Sequence, residues 1–419
     1  MRRRSKSRAP KFSADSQRLI AIAQAMNQAG SRFEERAWER QLDLLIRKLL
    51  KHDHQNTIDT ALDHLFSGES GAYDTLMESV EAVSSSCVVE HDGERHDAML
   101  IAMPILAWTR FSIASGPISA DMLSTLTAHL YGHILASGTK VAMAPTLYAI
   151  DQLPRSHTET YKLTERMAQA ALGGAALRPL VNAPETAPFL ADTRYLLALV
   201  ITSADGPFFQ WQTSDVPLDV MVRQQQALAQ WRSQALPNIE RLLPGCGIEL
   251  LLPEAYFVAC READKQIRPV SVHAAVHYLT HTLGIEASGL TAIIGGFGEE
   301  VQDDIEEYRI SFTLRDQPDV VYGIVWPLYG QEESDEPGTD VTVGRSVVPL
   351  LGELPISSPL EEIVAMLRAS GVTDLKQHDE RFPLEFCEDC GSPLFCDRDA
   401  ELVHAEMPED ATQTSGHLH

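Results

Sequence analysis

The 419-residue chain is short of three things, and each shortage closes off a class of protein. Cysteine is the first. Of its six cysteines, Cys87, Cys246 and Cys260 are scattered in apolar surroundings, and the other three crowd positions 387–396. That is too few and too uneven for a disulfide framework, and it fits a reducing cytoplasm. Long apolar runs are the second. The longest, Ala98 to Trp108, falls well short of the roughly 20 residues a membrane-spanning helix needs. No secretory leader is expected either, because the stretch Leu19–Ala25 follows a polar segment and is broken by Gln24. Basic charge is the third. Against 59 acidic residues stand 34 basic ones, a formal net charge of -25. A body so acidic disfavours non-specific binding to nucleic acid and to anionic membranes.

The familiar catalytic signatures are missing too. There is no P-loop lysine motif, no Gly-x-Ser-x-Gly elbow and no His-Glu-x-x-His pair. The stretch Ile293-Ile294-Gly295-Gly296-Phe297-Gly298 follows a strand but lacks phosphate-loop spacing. Glu299, Glu300, Asp303 and Asp304 follow it and would repel phosphate, so a turn is expected there. No catalytic or cofactor-binding residue is assigned. His273, His277 and His281 recur at every fourth position of one expected helix, and His129 and His133 share that spacing on another. Such spacing stacks imidazoles on one stripe. A polar boundary stripe is the plain interpretation, and a metal-dependent enzyme built on these helices is the sharper one.

One segment does name a chemistry: Cys387-Glu388-Asp389-Cys390-Gly391. Two cysteines two residues apart, then glycine, make a turn that points both thiolates at one ion. Glycine supplies the left-handed φ the turn needs. A redox pair would instead open a helix, which Gly391-Ser392-Pro393 does not continue. Tetrahedral structural zinc needs two more ligands. The expected set is Cys387, Cys390, His417 and His419, since the terminal histidines face one side of an extended chain. Cys396 and His404 are the reserve pair, with His404 returning on a hairpin through Asp397-Arg398-Asp399.

The expected fold class is α/β, with α+β as the variant. A basic arm over 1–12 precedes a helical segment over 13–84. Strand-helix-strand units follow over 85–190, 191–288 and, more faintly, 289–386, and a zinc knuckle closes the chain over 387–419. The units echo one another: an apolar strand, helices opening near Pro117, Pro217 and Pro359, and Pro-x-x-aromatic at Pro145–Tyr148, Pro253–Tyr256 and Pro383–Phe386. Asp92-Gly93 reads as a hairpin turn. Ser358, Pro359 and Glu361 read as a helix start. In the arm, Arg2, Arg3, Arg4, Lys6, Arg8 and Lys11 suit solvent, or RNA and the ribosome as an alternative partner.

The start Arg2–Arg8, the segment Asp97–Trp108 and the end, Cys387–Gly391 through His417-Leu418-His419, resemble a betaproteobacterial domain-of-unknown-function family over nearly the whole chain. The knuckle alone looks like a zinc ribbon. That resemblance implies a bacterial cytoplasmic setting and brings no catalytic residues. The expectation is a cytoplasmic, zinc-stabilised, non-enzymatic scaffold or adaptor with a protein partner and no membrane.

Overall fold

Ser13 caps the first helix, its Oγ accepting from the Ser16 amide at 2.9 Å. Helices α1 (Ala14–Asn27), α2 (Arg32–Lys51), α3 (Gln55–Phe66) and α4 (Ser70–Ser84) follow. Ser31 caps α2 by accepting from the Glu34 amide at 3.3 Å. Apolar residues at helical spacing, such as Leu42, Leu45, Ile46 and Leu49, turn inward and form one core across the four helices. The computed structural model describes residues 12–173, 177–180, 190–213, 219–299, 305–315, 317–329 and 358–408. The basic residues of the arm, Pro217, Asp303, Asp304, His417 and His419 lie outside them. Among the described residues, no helix is long and apolar enough to cross a membrane.

Asp92 and Gly93 take φ of 52° and 81°, the double left-handed turn a tight hairpin requires. They join β1 (Ser86–His91) to β2 (Glu94–Trp108). β2 then lies antiparallel to β6 (Ala191–Ser203), from His96 opposite Ser203 to Trp108 opposite Ala191. The shorter strands cross over reciprocally. β4 (Lys140–Met143) pairs with β6, and β7 (Gly247–Leu250) pairs with β2. After β4 the Ala144 amide donates to Leu197 O at 2.8 Å; after β7 the Leu251 amide donates to Pro104 O at 3.1 Å. β3 (Gly116–Pro117), β5 (Thr146–Ala149) and β8 (Glu254–Ala255) complete the sheet, whose pairings are all antiparallel. The expected units over 85–190 and 191–288 therefore share one sheet, and the mixed α/β fold takes the antiparallel, α+β form.

Both faces of this sheet are covered, which is why β2 reads as continuous apolar sequence. Ile101, Met103, Ile105, Leu196, Ala198 and Val200 meet α5 (Ala120–His133) and α7 (Val220–Ile239). Leu100, Ala102, Tyr195, Leu197 and Leu199 meet α6 (His157–Ala171) and the first half of α8 (Tyr256–Leu283). Pro117 does not open α5. It ends β3, and Ser119 is the cap, accepting from the Met122 amide at 3.4 Å.

The second sheet has the order β11 (Val320–Pro327), β10 (Glu307–Leu314), β9 (Leu290–Gly298), β12 (Asp374–Pro383). β12 runs parallel to β9, so this third region departs from the reciprocal pattern of the first two. α9 (Pro359–Ala369) starts with the expected capping box at Ser358 and Glu361. It packs with the second half of α8 over one face of the sheet, Val272, Val276, Ile363 and Leu367 against Ile294, Ile310 and Phe312.

Glu254 stands at the start of β8, where burial and the neighbouring Glu262 carboxylate push its carboxyl up to about 7. An unfolded glutamate titrates near 4.3. Between about 4.5 and 7 the folded chain therefore holds more protons than the unfolded one, and stability falls as pH rises through that window. Glu254→Gln removes this slope. Urea unfolding at pH 8 is expected to show the variant more stable by about 2 kcal/mol, with the gap closing towards pH 5.

Candidate metal centre

β12 delivers the chain to the knuckle, and backbone hydrogen bonds build the turn. Leu394 N donates to Glu385 O (3.0 Å), Cys387 N to Ser392 O (2.8 Å) and Gly391 N to Cys387 O (2.8 Å). Gly391 has φ 75°, as the spacing required. The chain then runs through β13 (Phe395–Cys396) and returns in β14 (Leu402–Val403). Asp397 shapes the turn between them, its Oδ1 accepting from the amides of Asp399 (2.8 Å) and Glu401 (2.9 Å). The residue after β14 is His404.

This hairpin brings His404 Nε2 to 3.1 Å from Cys390 Sγ. The ligand atoms of Cys387, Cys390 and His404 all lie within 4.8 Å of one another. Edges of a zinc tetrahedron with bonds of about 2.0–2.3 Å measure roughly 3.3–3.8 Å, and the Cys390–His404 separation comes close to that range. The other ring nitrogen, Nδ1, lies 3.5 Å from the Glu406 carboxylate, in range for an ion pair when protonated and outside hydrogen-bond geometry. A carboxylate behind a ligating histidine favours the orientation that turns Nε2 to the metal. Ser392 Oγ lies 3.2 Å from Cys390 Sγ. Hydrogen bonds from the Ser392 side chain and backbone, then from His404, bring the Cys390 thiol down to about 6, which favours the thiolate a metal needs.

Of the reserve ligands only His404 arrives. Cys396 is fully buried, and burial pushes its thiol up to about 12. It packs against β9, where a Cβ on Gly295 would come within 2.7 Å of its sulfur. The same close approach recurs on β11, where a Cβ on Gly323 would meet the Phe395 ring at 2.2 Å. Gly295 through Gly298 therefore stay inside a strand rather than forming the expected turn, and glycine at 295 makes room for the ribbon (384–408).

Arg309 fixes the ribbon to the sheet. Its side chain is fully buried on β10. Nη1 donates to Glu385 O (2.8 Å) and Leu394 O (2.6 Å), one carbonyl on each side of the knuckle, and Nε donates to Glu307 (2.6 Å). The guanidinium lies 4.4 Å from the Phe297 ring centre and 5.2 Å from that of Phe386. Ser311 Oγ adds a bond to Cys396 O at 2.6 Å. Nothing local in the sequence marks the part Arg309 plays in seating the ribbon, because its two carbonyl acceptors lie more than 75 residues away.

The histidine helices gather no such group. His129 bonds with Asn238 at 3.2 Å between α5 and α7, and burial lowers its pKa. His273 Nδ1 lies 2.8 Å from Ser370 Oγ, tying α8 to α9. Among the described residues, Cys387, Cys390 and His404 are the cluster able to hold an ion.

Removing the guanidinium leaves Glu307 and two carbonyls without their donor. Arg309→Met is expected to cost about 3 kcal/mol in denaturant unfolding and to speed tryptic cleavage at Arg398. Unchanged cleavage would mean that the ribbon is held by other contacts.

No curated protein and no solved structure matches the chain. A family model described as Protein of unknown function (DUF2863) matches residues 3–418, which take in both sheets, the knuckle and the returning hairpin. The chain therefore belongs to the DUF2863 family.

Proposed function

We propose that Cys387, Cys390 and His404 form a structural zinc centre, and that the protein is a non-enzymatic cytoplasmic scaffold or adaptor stabilised by it. The observation that carries this reading is the gathering of two sulfurs and an imidazole nitrogen within 4.8 Å on one small hairpin module. Three ligands leave one tetrahedral position, and either tail histidine, His417 or His419, supplies the fourth donor. Four protein ligands exclude water and make the ion structural.

Its place in the fold supports the same role. The ribbon packs on the face of the second sheet opposite α8, through Ile293, Phe297, Phe382 and Cys396. Among the described residues, it contributes none to the cleft of about 1050 Å³ beside the second half of α8. Bound there, the ion fastens chain to chain, and the assembled surface is left to meet a protein partner.

Metal analysis and cobalt substitution test the proposal. One zinc per chain is expected after purification without added metal, with strong loss in Cys390→Ser and in His404→Ala. The cobalt form should give a tetrahedral spectrum with thiolate charge transfer that azide does not alter. Removing both tail histidines should open the fourth position and make the spectrum azide-sensitive. Azide sensitivity of the unaltered protein would point to an open, catalytic type of site and overturn the structural reading.

A further inference from the structure

Where β2 ends, the large sheet meets the second half of α8 across a cleft of about 1050 Å³. That matches or exceeds the usual few hundred to 1,000 Å³ of small-molecule sites. We infer that this cleft binds a planar aromatic anion.

The aromatic part of the site is built by the backbone. Trp108, the last residue of β2, lies across β7 because Gly247 has no side chain; a Cβ there would come within 2.2 Å of the indole. The next turn is held in place. Thr109 N donates to Leu190 O at 2.9 Å, its hydroxyl donates to Gly245 O at 3.2 Å, and Phe111 N donates to that hydroxyl at 3.3 Å. This fixes Phe111 at the cleft, 62% exposed, where a core ring would be covered. Two rings on a braced turn present stacking surfaces for a planar ligand.

Arg110 is the contact that selects an anion. Arg110 lines the cleft, its guanidinium 5.1 Å from the Phe111 ring centre and without an ion pair among the described residues. The same cleft is lined by His273, His277 and His281, three exposed imidazoles from one stripe of α8, of which His273 also bonds to Ser370. Two carboxylates share the lining. Glu249 is already taken by Arg232 at 2.7 Å, which leaves Glu286. In a chain of net charge -25, a guanidinium with no ion pair among the described residues, in one cleft with three imidazoles, is the place for an anion. A carboxylate or a phosphate on the ring offers the same oxygen acceptors.

The probes are 8-anilinonaphthalene-1-sulfonate and its neutral parent, N-phenyl-1-naphthylamine, titrated by fluorescence into the full chain. The sulfonate is expected to bind more tightly than the parent. Arg110→Ala, an exposed position, should weaken the sulfonate about tenfold and leave the parent unchanged. Phe111→Ala should weaken both. Competition by 2-naphthoate and by 2-naphthyl phosphate then separates the two headgroups, and displacement by either supports the site. Equal affinity for the two probes, no response to Arg110→Ala, or displacement by neither competitor would overturn it.

Discussion

One buried guanidinium decides where the end of the described chain goes. Arg309 sits inside β10 with no exposed side-chain surface, and it binds the carbonyls of Glu385 and Leu394 on either side of the knuckle. A buried cation is tolerable only when a counter-charge is near and most of its donors are met. Glu307 supplies the charge and accepts from Nε, the two carbonyls accept from Nη1, and Phe297 and Phe386 face the planar group, while Nη2 is buried without a hydrogen-bond partner among the described residues. Moving the ribbon would strip Nη1 of that buried cation of both its carbonyl acceptors. The turn that presents Cys387 and Cys390 is thereby held at a fixed place on the sheet, and the returning hairpin needs only a few residues to bring His404 to them.

The second sheet and the large sheet are joined by α8, which serves two cores in turn. Tyr256, Ala259 and Ala263 pack on the large sheet; Val272, Val276 and Leu279 pack on the second. Pro269 sits between the two halves and cannot donate to the Lys265 carbonyl. Arg268 Nε donates to that carbonyl at 3.3 Å, while its Nη1 reaches Pro327 O at 2.8 Å on β11. The histidine stripe lies on the second half, beside the gap where the two sheets meet. At that spacing it lines one wall of the cleft.

What could be read from the sequence was what depends on near neighbours. The helix start at Ser358 and the Asp92-Gly93 hairpin both rest on signals within a few residues. The Cys387–Cys390 knuckle and the return of His404 through Asp397 are local in the same way. What could not be read depends on contacts distant in sequence. Gly295 looks like a turn residue until the ribbon lies over it. Pro117 looks like a helix opener until β3 pairs with β5. Cys396 looks like a ligand until its sulfur faces β9. The exchange of β4 and β7 between the two halves of the large sheet leaves no mark in either half alone.

X-ray absorption at the zinc edge on the purified full chain addresses the metal centre most directly. A structural centre of Cys387, Cys390, His404 and one tail histidine predicts a four-coordinate shell of two sulfurs near 2.3 Å and two nitrogens at about 2.0–2.1 Å. A shell of oxygen and nitrogen alone, or a chain that carries no zinc, would contradict it.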